Sequence, residues 1–162
     1  MTILLTGATG LVGPRLLARL TAAGIGCRAL VRPGKDLPAG IDGVERAEGD
    51  VLDPGSLPAA VAGVTAVLHL AAVFRTRDED LIWRVNRDGT RNLVAAVQQH
   101  APDARFLLAS TSNVYGDGSP RPGRESDPVD PAPAYPASKV AAEELLRASG
   151  LTGAVLQPTR SW

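Results

Sequence analysis

Short apolar runs alternate with longer amphipathic segments along this chain of 162 residues. The apolar runs predict strands, and the amphipathic segments, with apolar positions recurring every three or four residues, predict helices. The predicted strands are residues 3–6, 27–31, 43–47, 66–70, 105–109 and 154–156, and the predicted helices are 11–23, 56–62, 80–99 and 136–148. Because strands and helices alternate, we expect an α/β fold with right-handed crossovers and a doubly wound parallel sheet.

One segment interrupts this alternation. Residues 116–134 are rich in proline, glycine, serine and aspartate, a composition that predicts a long loop. Long loops in compact domains often carry function, although a surface excursion without a role gives the same pattern.

Composition and charge narrow the function classes. Apolar residues make up 44% of the chain and charged residues 21%, which is typical of one globular domain. The 17 basic residues balance the 17 acidic ones, so we expect neither a nucleic-acid partner nor an anionic membrane partner. No apolar run reaches the roughly 20 residues of a membrane helix.

Cysteine usage and the N-terminus bear on location and metal binding. Cys27 is the only cysteine, which excludes an intrachain disulfide and a cysteine metal cluster, and no His/Cys/Asp group has metal-ligand spacing. The chain begins directly with a strand-like segment rather than with a signal peptide. We therefore expect a cytoplasmic protein without a metal site.

A glycine-rich turn follows the first predicted strand and opens the first helix. Its sequence at residues 6–13 is TGATGLVG. In this setting Gly7 allows the chain to leave the strand, Gly10 allows backbone to approach a pyrophosphate, and Gly13 allows close packing of helix on sheet. The helix N-terminus then favours phosphate, so the pattern predicts a dinucleotide site. A turn without a ligand is the alternative.

The G-x-x-G-x-x-G spacing resembles that of the extended short-chain dehydrogenase/reductase family, the group of nucleotide-sugar epimerases and dehydratases. Further segments resemble this family's motifs in the same order along nearly the whole chain. They are GDVLD at 49–53, HLAA at 69–72, NRDGT at 86–90, STSNVYG at 110–116 and YPASK at 135–139.

The resemblance implies a Rossmann fold, a nicotinamide dinucleotide and a defined set of binding residues. Asp50 would face the adenine amino group with Val51 beside the ring, although an aspartate capping a turn is an equal alternative. Lys139 would bind the nicotinamide ribose. The implied cofactor-binding residues are Gly7, Thr9, Gly10, Leu11, Val12, Gly13, Arg32, Asp50, Val51, Leu70, Ala71, Ala72, Asn86, Tyr135, Lys139 and Pro158.

The end of the second strand bears on which nicotinamide cofactor binds. NAD-binding folds usually carry an acidic residue there, whereas this chain has Arg32. A guanidinium suits the ribose 2′-phosphate, so we expect NADP in preference to NAD. Arg28 or Lys35 could replace Arg32 in this role, and Arg32 could also be a solvated charge.

Tyr135 and Lys139 form the candidate acid–base pair. They are four residues apart at the start of a predicted helix and therefore lie on one face. The Lys139 ammonium is expected to lower the pKa of the Tyr135 phenol, which would suit it to exchange a proton with a substrate hydroxyl or carbonyl. The family's Ser/Thr position, which polarises the substrate oxygen, falls on Thr111, with Ser110 and Ser112 as open alternatives.

The chain ends at Trp162, where members of the family enter a substrate lobe. We therefore expect residues 1–162 to be the dinucleotide-binding portion of a longer enzyme, without the substrate lobe and the last strand; a naturally short protein is the alternative. The expected function is that of an NAD(P)-dependent oxidoreductase, epimerase or dehydratase acting on a small hydroxyl/carbonyl substrate such as a nucleotide sugar. A dinucleotide sensor without turnover is the second hypothesis. Family analogy also suggests a homodimer formed through helices 80–99 and 136–148.

Overall fold

The computed structural model describes residues 1–116 and 123–158. Its strands are β1 (Thr2–Thr6), β2 (Gly26–Val31), β3 (Val44–Glu48), β4 (Ala66–His69), β5 (Arg105–Ala109) and β6 (Gly153–Leu156). They form one sheet in the order β3-β2-β1-β4-β5-β6, and every pair is parallel. The predicted doubly wound parallel sheet is therefore confirmed.

Helices connect the strands. They are α1 (Gly13–Ala22), α2 (Leu57–Val61), α3 (Glu79–Trp83), α4 (Gly89–His100) and α5 (Ala134–Ala148). A π-helical turn, Arg84–Asp88, joins α3 to α4, and short 3-10 turns occupy Pro54–Ser56 and Ser112–Tyr115. None of the helices in the described ranges is both long and apolar enough to span a bilayer.

Three differences from the predicted elements concern the site. Helix α1 begins at Gly13 rather than at residue 11, because the preceding residues form a turn that the Gly10 N–H closes on the Gly7 carbonyl. The single helix predicted over 80–99 contains the π-helical turn. Helix α5 begins at Ala134, which brings Tyr135 into its first turn. Of the predicted loop 116–134, residues 117–122 lie outside the described part of the chain.

The core consists of two apolar clusters, one on each face of the sheet. Successive residues of a strand point to opposite faces, so Leu4 joins the cluster under α2, α4 and α5 while Leu5 joins the cluster under α1. Both side chains are fully buried. Because all strands are parallel, their carboxyl ends meet at one edge of the sheet, and the segments that follow β1, β4 and β5 lie side by side there.

Candidate active site

The glycine turn is built by close contacts at two of its three glycines. Gly7 has φ +72°, and a Cβ there would lie 2.8 Å from the Ala71 nitrogen. A Cβ on Gly13 would lie 2.7 Å from the Ala8 Cα. At Gly10 the nearest atom to such a Cβ is the Gly7 carbonyl oxygen at 3.3 Å. Gly7 and Gly13 are therefore required by packing, whereas Gly10 leaves open backbone on the surface of the turn.

The N-terminus of α1 is suited to an anion. No side chain caps it, and its first turn holds no acidic residue. Its N–H groups and the positive end of the helix dipole are thus free to act on a phosphate. Leu11 and Val12 beside it are 70% and 43% exposed, which gives the turn an apolar rim.

A chain of buried hydrogen bonds fixes the ends of β1 and β4. The Thr90 hydroxyl donates to the Asn86 carbonyl (2.6 Å), so it accepts from Nε2–H of His69 (3.0 Å). Nδ1 of His69 then accepts from the Thr6 hydroxyl (2.7 Å), which in turn accepts from the Ala71 N–H (3.2 Å). Burial, helped by the Lys139 charge, lowers the pKa of His69 to about 3, so the ring is neutral and serves as a fixed connector.

Asn86 extends this network toward α5. Its amide accepts from the Val73 N–H (2.8 Å) and donates to the Val73 carbonyl (2.9 Å) and the Ser138 hydroxyl (3.0 Å). The Ser138 hydroxyl donates to the Tyr135 carbonyl (2.7 Å). Asn86 is 1% exposed, so in this structure it holds the backbone after β4 against the first turn of α5. Such functional use of a π-helical turn is common.

Tyr135 is half-buried at the mouth of the site, and its ring lies against Phe74 with centroids 5.8 Å apart. Burial raises the pKa of the Tyr135 phenol. The expected lowering of this pKa by Lys139 is therefore not found in the protein without cofactor, where burial is the cause of the shift. A positive charge beside the phenol would favour the phenolate.

Lys139 is buried on the same face of α5 and is 1% exposed. Burial lowers the pKa of its ammonium to about 8, and the Glu143 carboxylate opposes that shift. Among the residues that the structure describes, none forms a hydrogen bond with this ammonium. Lys139 thus offers free donors next to Tyr135.

The three hydroxyl candidates after β5 differ in their contacts. Ser110 is buried and donates to Glu143, so its hydroxyl is committed away from the site. The Thr111 hydroxyl oxygen accepts from the Asn113 N–H (3.2 Å) at the start of the 3-10 turn. The Ser112 N–H donates to the carbonyl of Pro158 (3.2 Å), which places Pro158 beside this strand end. Thr111 and Ser112 remain the candidates to face a substrate.

The adenine-side predictions fall at the ends of β2 and β3. Oδ1 of Asp50 accepts from the Leu52 N–H (2.9 Å), so Asp50 does cap a turn and has its second oxygen left for a ligand. Val51 is 6% exposed, and its side chain packs under Gly89. Asp50 and Val51 therefore stand at the rim of the site, with Val51 turned mostly into the core.

Three cations follow or belong to β2. Arg32 is exposed directly after the strand, and Lys35 is exposed nearby. Arg28 donates to the carbonyls of Ala60 (2.8 Å) and Ala62 (2.7 Å) at the end of α2. Arg28 is thus occupied within the fold, whereas Arg32 and Lys35 are exposed.

Sequence reasoning missed two buried polar residues of α5. Ser138 links Asn86 to Tyr135, and Glu143 receives hydrogen bonds from several elements. The signal was present for Glu143, because Tyr135, Lys139 and Glu143 follow one another at intervals of four and must share a face. A carboxylate on the buried face of a helix requires hydrogen-bond partners, so its presence indicates a cluster of polar side chains around it.

The described residues fit a dinucleotide. The open backbone at Gly10, the uncapped helix N-terminus and the unbonded ammonium of Lys139 lie along one edge of the sheet, where doubly wound folds bind their ligands. Their chemistry suits, in turn, a pyrophosphate and ribose hydroxyls.

Comparisons with known proteins point in the same direction. The model of the NAD dependent epimerase/dehydratase family matches residues 3–159. The chain is 35% identical over 147 residues to N-acetyl-alpha-D-glucosaminyl-diphospho-ditrans,octacis-undecaprenol 4-epimerase of Escherichia coli O157:H7, a match that covers 90% of the chain and 42% of that protein. It is 33% identical over 171 residues to 4-hydroxy-2-methyl-3-oxo-4-farnesyl-3,4-dihydroquinoline-1-oxide ketoreductase of Stigmatella aurantiaca, covering 100% of the chain and 51% of that protein.

A solved structure shares the fold. A short-chain dehydrogenase/reductase superfamily protein of Agrobacterium tumefaciens, with bound NAD, superposes with a TM-score of 0.83 at 32% identity. The match covers 97% of this chain and 48% of that one. The chain thus spans about half the length of the relatives that it matches.

Proposed function

Because the chain belongs to the NAD-dependent epimerase/dehydratase family of extended short-chain dehydrogenases/reductases, we propose that it is the dinucleotide-binding part of an NAD(P)-dependent enzyme acting on a hydroxyl or carbonyl group. One observation carries the proposal. The glycine turn after β1 and the buried Lys139 beside Tyr135 open on the same edge of the sheet. A dinucleotide bound along this edge would be held at its phosphates by the glycine turn and at its nicotinamide end by Lys139 beside Tyr135.

In the proposed mechanism Tyr135 exchanges a proton with the substrate oxygen. A bound nicotinamide ring supplies the acceptor or donor of hydride. Lys139 holds the nicotinamide ribose and, as an ammonium, favours the phenolate. Thr111 donates a hydrogen bond to the substrate oxygen and so positions it for transfer.

The remaining family positions would hold the cofactor along the edge. Gly7, Gly10 and Gly13 shape the turn, and the helix N-terminus binds the pyrophosphate. Asp50 reaches the adenine amino group. The other proposed contacts are Thr9, Leu11, Val12, Val51, Leu70, Ala71, Ala72 and Pro158. Asn86, which is 1% exposed, would act through the Val73 backbone that it holds.

We further propose that NADP is preferred to NAD. Arg32 is exposed where an acidic residue would select NAD, and the competing Arg28 is occupied by the carbonyls of α2. Titration of the chain with NADPH and NADH checks this, with Arg32→Asp as the variant and Lys35→Asp as the test of the other exposed cation after β2. The matched control is Arg105→Asp, at an exposed arginine that begins β5 at the opposite edge of the sheet. We expect tighter NADPH binding and a loss of about tenfold in Arg32→Asp alone. Tighter binding of NADH by the unaltered chain contradicts the preference.

The names of the two relatives bear on the substrate class. They are named for action on a lipid-linked amino sugar and on a quinoline ketone. We propose a hydroxyl/carbonyl substrate such as a nucleotide sugar. We also propose a homodimer through α4 and α5, which sedimentation equilibrium tests directly.

The decisive variant for catalysis is Tyr135→Phe in the longest natural form that contains this chain. Hydride transfer is followed at 340 nm across a panel of nucleotide sugars and hydroxy-ketones. We expect turnover to fall by about a hundredfold or more while dinucleotide binding persists. Turnover that is unchanged in Tyr135→Phe refutes the proposed role. Dinucleotide binding without any turnover on this panel favours a sensor instead.

A further inference from the structure

Glu143 is a buried acid outside the set that sequence motifs indicated. It is 1% exposed on the inner face of α5, one helical turn after Lys139. Burying a carboxylate is unfavourable unless hydrogen bonds compensate it. The fold therefore has to supply partners, and those partners show what Glu143 connects.

Three side chains from three parts of the fold donate to the Glu143 carboxylate. Ser110, at the end of β5, donates to Oε1. Gln157, after β6, donates to Oε1 and Oε2 at 3.0 and 3.1 Å, and Arg147, one turn along α5, donates to Oε2 at 2.7 Å. The carboxylate thus joins the ends of two strands to the helix that carries Tyr135 and Lys139.

The connection reaches the strand ends that border the site. Ser110 directly precedes Thr111, so fixing its side chain fixes the backbone from which Thr111 projects. Gln157 also accepts from the Tyr115 hydroxyl (2.6 Å), which ties in the 3-10 turn after β5. A shift of Glu143 would therefore move the proposed substrate-polarising segment relative to α5.

The same carboxylate acts on Lys139 through its charge. Glu143 lies at i+4 from Lys139 and favours its charged form, whereas the buried surroundings oppose it. His69 on β4 also interacts with Lys139 and is neutral. Tyr135 lies one turn before Lys139 on the same face of α5, and burial raises the pKa of its phenol. Arg147 is 60% exposed at its side chain and partly offsets the Glu143 charge from the solvent side.

We propose that Glu143 is a positioning residue of the proposed active site: it clamps the ends of β5 and β6 to α5 and keeps the Lys139 ammonium charged in its buried position. This inference rests on the proposed roles of Tyr135 and Lys139. Its electrostatic part is nevertheless a property of the chain alone, and it can be measured without cofactor or substrate.

The experiment exploits the lysine content of the chain. Lys35 and Lys139 are the only two lysines, and Lys35 is exposed. Uniform 13C labelling of lysine therefore gives two side-chain Cε signals, of which Lys35 is the internal reference. Their pH titration is compared in the unaltered chain, Glu143→Gln and the matched control Glu144→Gln, which removes the same charge from the exposed neighbouring position.

We expect the pKa of Lys139 to fall by about one unit in Glu143→Gln and to stay unchanged in Glu144→Gln. Arg147→Gln provides an arm of opposite sign, because removing this exposed cation strengthens the effect of Glu143 and raises the pKa of Lys139. If Glu143→Gln does not fold, Arg147→Gln decides the matter. An unchanged Lys139 titration in Arg147→Gln, or equal shifts in Glu143→Gln and Glu144→Gln, overturns the proposal.

The two proposals fail in different ways. Absence of dinucleotide binding by the unaltered chain contradicts the proposed function and leaves the lysine titration untouched. An unshifted Lys139 in a chain that binds dinucleotide contradicts the role of Glu143 alone.

Discussion

Substitution of the turn glycines by alanine separates conformational strain from close packing, because the chain offers matched positions. Gly7 and Gly24 both have φ +72°. A Cβ on Gly24 meets nothing within 4 Å, whereas a Cβ on Gly7 lies 2.8 Å from the Ala71 nitrogen. The difference between Gly7→Ala and Gly24→Ala therefore measures the approach of the turn to the segment after β4.

The expected magnitudes follow from these distances. Forcing an L-residue into the left-handed region costs about 1 kcal/mol, which is the whole expected effect of Gly24→Ala. At Gly7 the displaced Ala71 backbone adds about 1 to 3 kcal/mol, the range for overpacking. The total for Gly7→Ala is then about 2 to 4 kcal/mol.

The assay is urea unfolding followed by circular dichroism, with the midpoint compared at constant m. Gly10→Ala serves as a second control, since a Cβ there finds only one atom, at 3.3 Å, and a change within about 1 kcal/mol is expected. Equal destabilisation by Gly7→Ala and Gly24→Ala would refute the claim that the turn packs against Ala71.

Three further predictions rest on the buried polar residues. The fold lowers the pKa of His69 to about 3, whereas its pKa in the unfolded chain is near 6.5. The neutral histidine therefore contributes its full stability above pH 6.5. Between pH 6.5 and 3 the free energy of unfolding falls by about 1.4 kcal/mol for each unit that the pH is lowered. Unfolding of the chain between pH 5 and 8 should show this slope and His69→Gln should lack it; parallel curves would contradict the buried neutral histidine. Lys139→Met removes a buried ammonium whose pKa is lowered to about 8. The variant should therefore have a free energy of unfolding about 1 to 3 kcal/mol higher than the unaltered chain at pH 7, and this difference should disappear as the pH rises toward 10.5. Destabilisation at pH 7 would show that the ammonium is paired. Asn86→Leu leaves the Val73 N–H without its partner and should lower the urea midpoint by the equivalent of about 2 kcal/mol. The partly buried Asn92→Leu, which frees a single Val51 carbonyl, should cost less, and equal losses would remove the special role of Asn86.

The parallel sheet and its glycine turn were predictable because both are encoded locally. The apolar runs are short and the glycines fall between a strand and a helix, so pattern and turn chemistry agree. The helix boundaries differ from the predicted ones where hydrogen-bond geometry, rather than the apolar pattern, determines where a helix begins. Helix α1 starts at Gly13 because the turn is closed by a hydrogen bond, which no periodicity reveals.

The π-helical turn at Arg84–Asp88 was not predictable, since the apolar spacing continues through it. The Asn86 amide of this turn bonds to Val73 in the segment after β4, a contact that the helical pattern does not reveal. The choice among Ser110, Thr111 and Ser112 was equally open in the sequence. It depends on Glu143, thirty-three positions away from Ser110, whose position beside β5 only the fold establishes.

The wrong expectation for Tyr135 has the same origin. The four-residue spacing shows that Lys139 shares its face but not how deeply both groups are buried. Burial raises the pKa of Tyr135 and lowers that of Lys139, so in the protein without cofactor it disfavours the charged form of both groups. Buried titratable groups of this kind concentrate at functional sites.

Every proposed role above depends on dinucleotide binding by the glycine turn, and a single titration checks that binding. The fluorescence of NADH and NADPH is followed as the chain is added, with Gly10→Val as the variant. A Cβ at this position meets only the Gly7 carbonyl oxygen, at 3.3 Å, and the two methyl groups of valine add bulk over the open backbone. We expect saturable binding of at least one dinucleotide at one site per chain. We also expect Gly10→Val to lose that binding while it unfolds at nearly the same urea concentration as the unaltered chain. A folded chain that binds neither dinucleotide, or a Gly10→Val variant that binds as well as the unaltered chain, would contradict this role of the glycine turn.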